Sequence, residues 1–115
     1  VIGQVFVQLD SARKELADGS ARSYVYGFRV RPVYRNQGVG GQMLLTLEDD
    51  LVRRSFRLAT LNVGRQNLQA RRFYERYGYQ VVANEAGRWS YVDDQGKNQE
   101  VHEPAWRMEK LLHGN

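Results

Sequence analysis

The 115 residues, 42% hydrophobic and 26% charged, have the balance of one ordinary globular domain spanning 1–115 with a single core. With no cysteine and only two histidines, His102 and His113, the chain can form neither a disulfide framework nor a thiolate metal site, and no metal is expected. No apolar run approaches the roughly 20 residues that cross a bilayer and no secretory leader is visible, so the cytoplasm is the default location. The net charge of +4, carried mostly by arginine, favours an anionic partner, either a nucleic acid or a phosphorylated cofactor.

Val1 to Leu9, rich in Val and Ile, reads as a strand, and the polar stretch Asp10 to Ala21 as a turn or long hairpin loop. Tyr24 to Val30 is a second strand, with Tyr24, Tyr26, Phe28 and Val30 expected on one face, and Pro32 stops regular pairing. After the glycine-rich turn Arg35-Asn36-Gln37-Gly38-Val39-Gly40-Gly41, a helix over about Gly40 to Ser55 places Met43, Leu44, Leu47, Leu51 and Val52 at helical spacing. Leu58 to Val63 fits a buried strand. A second helix runs from about Asn67, a suitable N-cap, to Tyr77 and stops at Gly78. Strands over Tyr79 to Asn84, Trp89 to Val92 and Val101 to Lys110 follow, with a turn at Asp94-Gln95-Gly96 and an interruption at Pro104. The predicted order is β-β-α-β-α-β-β, an α/β mixed sheet with helices packed on it.

A strand entering a glycine-rich turn and then a helix is a common way to hold phosphate. The first helical amides lack partners within the helix, the helix dipole is positive there, and glycine lets the main chain approach an anion. The same glycines would also serve a tight turn with no ligand. A Walker loop would end in Gly-Lys-Ser/Thr, but here Gly40-Gly41-Gln42 has neither lysine nor hydroxyl. A dinucleotide fingerprint would need glycine where Met43 stands and an acidic residue near Asn62 or Gly64.

The remaining pattern, Arg-x-x-Gly-x-Gly after Val30, resembles the cofactor loop of the GNAT N-acetyltransferase superfamily. The family's second signature is an Asn, a helix with Ala and an aromatic pair, and a closing Tyr-Gly-Phe/Tyr. It is matched by Asn67-Leu68-Gln69-Ala70-Arg71-Arg72-Phe73-Tyr74-Glu75-Arg76-Tyr77-Gly78-Tyr79. The resemblance covers nearly the whole chain, Val1 to Leu112.

The resemblance implies the GNAT-like acyl-CoA N-acyltransferase fold. It also implies acetyl transfer from acetyl-CoA to a primary amine of a small molecule, peptide or protein, by direct attack in a ternary complex. Phe28, Arg29 and Val30 would offer main-chain hydrogen bonds to the pantetheine arm. Arg35, Asn36, Gln37, Gly38, Val39, Gly40 and Gly41 would hold the pyrophosphate. Asn67 would contact the cofactor arm, or simply cap its helix. Tyr74 would protonate the departing thiolate, because a phenol with a pKa near 10 keeps its proton at neutral pH; packing beside Phe73 and Tyr77 is the other reason for its presence. Glu100, His102 and Glu103 are candidates for the general base, with a solvated edge as the plainer reading. Arg65, Arg71 and Arg72 would reach the cofactor's outer phosphate or be ordinary surface charges.

The family fold usually begins with a strand, one or two helices and another strand before the position of Val1. Those elements are absent, and the helices commonly wall the acceptor site. A truncated or partly ordered form of a longer chain accounts for this more simply than a partner completing the sheet. Trp89, Tyr91 and Trp106 flank the last turn and would line an acceptor pocket, a dimer interface or the core. Two other functions suit the same residues: an acyl-CoA-binding or regulatory module without turnover, and a nucleic-acid-binding domain. The latter lacks a stacking motif or recognition helix, so acetyl-CoA and an amine are the expected partners, without nucleic acid or membrane, and a homodimer is in keeping with the family.

Overall fold

Alternation of Val5 and Val7 with Gln4 and Gln8 suits an edge strand buried on one side, and the chain opens with that strand. The structure is a computed structural model describing residues 3–31, 33, 37–86, 88–102 and 104–112, with 88, 89, 91, 101 and 102 described by backbone alone. In chain order the elements are β1 (Gly3–Gln8), β2 (Arg22–Val30), α1 (Val39–Arg53), β3 (Leu58–Gly64), α2 (Leu68–Arg76), β4 (Gln80–Glu85), β5 (Arg88–Val92), β6 (Asn98–His102) and β7 (Ala105–Leu111). Five strands form a mixed sheet in the order β1-β2-β3-β7-β4, while β5 and β6 form a separate two-stranded sheet. This is the expected α/β mixed sheet, with two helices. The chain divides into two compact units, Val1–Leu61 with Glu109–Asn115, and Asn62–Met108. No helix among the described residues is long and apolar enough to cross a membrane.

In the first unit β1 and β2 are antiparallel, and β2 runs parallel to β3 at Arg22↔Leu58, Ser23↔Ala59 and Tyr24↔Thr60. The ladder with β3 ends there, whereas pairing with β1 continues to Val30. Between Gln4↔Arg29 and Phe6↔Tyr26, β1 advances by fewer residues than β2, so β2 carries one extra residue. Gly27 lies in this bulge at φ 63°. The insertion inverts the pleat. Tyr26 pairs with Phe6 on one face, and Val30 pairs with Gly3, whose Cα faces Met43 of α1 on the other. The sequence expectation of one face for Tyr24, Tyr26, Phe28 and Val30 therefore fails, because a bulge cannot be read from a single strand's alternation.

The loop before β2 is better ordered than its polarity suggests. Leu16 and Ala17 are buried, and Asp10 and Asp18 form an isolated bridge. The Asp18 carboxylate accepts from the backbone N–H groups of Ser20, Ala21 and Arg22 at 3.0, 2.9 and 2.8 Å. These bonds, led by that from Arg22, hold its pKa well below the usual carboxylate range. Helix α1 buries Gly41, Leu44, Glu48 and Leu51 along one stripe. Glu48 is only 7% exposed, and Lys110 Nζ donates to it at 2.6 Å. The helix ends with Ser55 at φ 70°, where Ser55 N–H donates to Val52 and Phe56 N–H to Leu51, bringing buried Phe56 against the last turn.

In the second unit β3 ends, α2 crosses, and β4 follows. The final segment, expected as one interrupted strand from Val101, is two strands with different partners. Pro104 separates β6, which pairs with β5 from Arg88↔His102 to Val92↔Asn98, from β7, which joins the five-stranded sheet. The full order is β-β-α-β-α-β-β-β-β, with two more strands after α2 than the predicted order. The β5–β6 turn is tied by Asp93, which accepts from Gln95 and Lys97 N–H, both at 2.9 Å.

Candidate functional site

The predicted site residues fall in both units, and each group has its own geometry. In the first unit, Phe28, Arg29 and Val30 close β2 beyond the end of its ladder with β3. The bulge at Gly27 immediately precedes them, turning the peptide groups that follow relative to those before. A methyl at Gly27 would lie 2.7 Å from a ring carbon of Phe6, so the site tolerates only glycine without movement.

Of the glycine turn, Arg35 and Asn36 lie outside the described residues. Gln37 reaches back to donate from Nε2 to the Val33 carbonyl at 2.9 Å, which braces the turn. Gly38 is the N-cap of α1 at φ 77°, a left-handed conformation that disfavours other residues. It supplies no side-chain cap, and the first turn, starting at Val39, Gly40 and Gly41, contains no acid. Among the described residues, nothing lies within 4 Å of the position a Cβ at Gly38 would take, and no side chain caps the first amides of the helix, where its dipole is positive. Gly41 is buried, so only the front of the turn is available.

In the second unit, Asn67 caps α2. Its Oδ1 accepts from Ala70 N–H at 3.1 Å, which fulfils the helix-capping reading. The opposite end is closed at Gly78, φ 94°, where Gly78 N–H donates to Glu75 and Tyr79 N–H to Tyr74, at 3.0 and 3.1 Å. This turn seats the Tyr79 ring, only 2% exposed, edge-on to Tyr74 with 5.7 Å between centroids. Phe73 packs on both Tyr74 and Tyr77. Burial pushes the Tyr74 phenol up to about 12, so it is fully protonated at neutral pH.

The arginines expected near a phosphate have partners of their own. Arg65 and Arg71 both lie over the Trp106 ring, and Arg71 also pairs with Glu75 at 3.6 Å, while Arg72 is exposed. Trp106 meets the core reading only in part, being half-buried under these cations. Of the base candidates, Glu100 is exposed on β6, Glu103 lies outside the described residues, and His102 is described by backbone alone, as are Trp89 and Tyr91. Among the described residues, no three acidic or histidine side chains gather as a metal group. The bulge at Gly27 and the arginine–tryptophan stack escaped sequence reasoning, since each depends on pairing between distant segments.

The model of the acetyltransferase (GNAT) family matches residues 1–79. No curated protein matches by sequence. Among solved structures, the chain is similar to the ribosomal-protein-S18-alanine N-acetyltransferase from Escherichia coli, at 25% identity and a TM-score of 0.62, over 81% of this chain and 56% of that one. It resembles in fold the NatB acetyltransferase complex bound to CoA and MES, at 24% identity and a TM-score of 0.73, over 97% and 65% of the respective chains. A GNAT family acetyltransferase from Elizabethkingia anophelis with acetyl-CoA bound has the same fold, with 13% identity, a TM-score of 0.74, and coverage of 97% and 69%. The chain spans less than two thirds of the length of the first two. With a family match running from β1 through α2 and covering well over half of its residues, the chain belongs to the GNAT acetyltransferase family.

Proposed function

We propose that this chain carries the acetyl-CoA-binding part of an N-acetyltransferase that acylates a primary amine by direct attack in a ternary complex. The observation that carries this reading is the turn into α1, where left-handed Gly38 provides no side-chain cap, nothing among the described residues crowds its Cβ position, and the first turn has no acid to repel an anion. The pyrophosphate of acetyl-CoA suits that cradle. Residues Phe28 to Val30, beyond the β2–β3 ladder, would pair with the pantetheine arm, and Arg35 and Asn36 would complete the loop. Asn67 keeps its capping role in this scheme, and a contact with the cofactor would be made through its remaining polar groups.

The amine nitrogen attacks the thioester carbonyl carbon, the tetrahedral intermediate collapses, and the C–S bond breaks as the amide forms. The amine gives up a proton and the sulfur leaves as thiolate. Tyr74 is assigned to that sulfur. With its own pKa near 12, a full transfer to a thiolate of ordinary pKa near 8.5 would be uphill by about 5 kcal/mol. Its part is therefore to donate a hydrogen bond as negative charge builds on sulfur, while the proton shed by the amine neutralises the thiolate.

The test is thiol release from acetyl-CoA across an amine panel, with acetyl-CoA binding followed by calorimetry. Tyr74→Phe should lower kcat by about 10- to 100-fold with little change in acetyl-CoA affinity. Turnover within twofold of the parent would remove Tyr74 from the mechanism. Tight cofactor binding with no release for any amine would favour the non-catalytic module.

A further inference from the structure

We infer that Arg65 and Arg71, stacked on Trp106, form a binding site for an anionic group of the acceptor, a carboxylate or phosphate, one helical turn from Tyr74. This rests on the acetyltransferase reading for the word acceptor, but the anion site has a readout of its own. Three separated segments build it. Arg65 follows β3, and its backbone N–H donates to the Pro104 carbonyl at 3.1 Å, which brings the start of β7 alongside. Trp106 lies two residues on, with Arg65 Cζ 4.7 Å and Arg71 Cζ 5.3 Å from its ring centroid. The two guanidinium groups are therefore no more than about 10 Å apart.

The two cations share one ring but not one counter-ion: Glu75 pairs with Arg71 and offsets part of its charge. Arg65 Nη2 donates to Asn84 Oδ1 at 2.8 Å, a neutral acceptor that orients the guanidinium without cancelling its charge. Arg71 pairs with Glu75 at 3.6 Å, a partly exposed i,i+4 ion pair longer than a hydrogen bond, which an anionic ligand can share. A guanidinium over a ring still carries five N–H donors, of which Arg65 gives one to Asn84, and such a fork matches a carboxylate or phosphate. Fixing both side chains on one ring also lowers the ordering entropy lost when an anion binds. On α2, Arg71 and Tyr74 stand three residues apart and so neighbour each other on the helix surface. An anion on Arg71 places the molecule that bears it beside the phenol assigned to the leaving sulfur. The pyrophosphate has its own cradle at α1, so the arginine pair is assigned to the acceptor.

Two measurements test this. In a Trp89→Phe background, Trp106 fluorescence is titrated with inorganic phosphate. Saturable quenching is expected, with the midpoint raised about tenfold in Arg65→Gln and partly restored in Arg65→Lys, which keeps the charge. No quenching, or quenching indifferent to Arg65, overturns the site. The titration is repeated with saturating CoA and with dephospho-CoA. Loss of the phosphate response with CoA alone assigns the arginines to the cofactor's outer phosphate and overturns the acceptor assignment. Thiol release is then compared for alanyl-aspartate amide and alanyl-asparagine amide. A kcat/KM ratio of about ten in favour of the acidic member, falling toward one in Arg65→Gln, supports the proposal, and a ratio near one in the parent overturns it. If neither dipeptide turns over, the same two peptides are compared by fluorescence: selective, Arg65-dependent binding of the acidic one supports the site while the transferase reading fails, and equal binding overturns the site.

Discussion

Gly27→Ala places a side chain where β2 is most constrained. The residue sits at φ 63°, a conformation costing an L-residue about 1–2 kcal/mol. The new methyl would meet the Phe6 ring at 2.7 Å. Phe6 is 49% exposed and can swing away, but doing so gives up its stacking on Tyr26 at 5.6 Å, worth about 0.5–1.5 kcal/mol. Alanine also restricts the unfolded chain, which returns about 0.4–1 kcal/mol. The net expectation is a loss of about 1–2 kcal/mol. Urea unfolding followed by far-UV circular dichroism reads it as a lower midpoint at constant slope. In a double-mutant cycle with Phe6→Ala, the contact part disappears and the backbone part, about 1 kcal/mol, remains. Within the proposed function the acetyl-CoA KM should rise several-fold, since the bulge aims the peptide groups of Phe28 to Val30. A Gly27→Ala protein within about 0.3 kcal/mol of the parent would refute the left-handed bulge and the inverted pleat with it.

Ser55→Gly should work in the opposite direction: Ser55 closes α1 at φ 70°, and relieving that strain should stabilise the protein by about 0.5–1 kcal/mol in the same unfolding assay, with an unchanged or lower midpoint counting against it. Tyr74 should ionise well above the usual range of a tyrosine. Its folded pKa, near 12, exceeds the unfolded value near 10, so the stability gained by burying the neutral phenol is whole below about pH 10 and is lost as pH rises toward 12. A tyrosinate difference spectrum of parent against Tyr74→Phe should show no step near pH 10, and a step there would mean that the ring is solvated.

What the sequence disclosed is what short-range chemistry controls. The spacing of Leu44 and Leu51, the cap at Asn67 and the stop at Gly78 each act within a turn or two of helix, and each appears where the pattern puts it. Pro104 was visible as an interruption, but the exchange of β-partners across it was not, because partner choice depends on residues far along the chain. Burial of Leu16 and Ala17 inside a polar loop was hidden for the same reason: Asp18 organises that loop through main-chain bonds that leave no hydrophobic periodicity. In the candidate site, the glycines and Tyr74 could be read from motif and spacing. The extra residue at Gly27 needed the register with β1, and the cation stack needed Pro104 beside Arg65.

Helix α2 is nine residues long and has no fully buried residue, so half-buried contacts such as those of Phe73 and Tyr74, together with its two ends, hold it. The C-terminal closure at Gly78 is also what seats Tyr79 against Tyr74. Within the proposed function, fraying and reactivity are one motion: when the last turn opens, the phenol is wetted, its acidity returns toward that of free tyrosine, and its aim is lost. A change at Gly78 or Tyr79 would then slow turnover through the time the helix spends open. Amide exchange at Tyr79, whose N–H bridges to Tyr74, would report that opening directly.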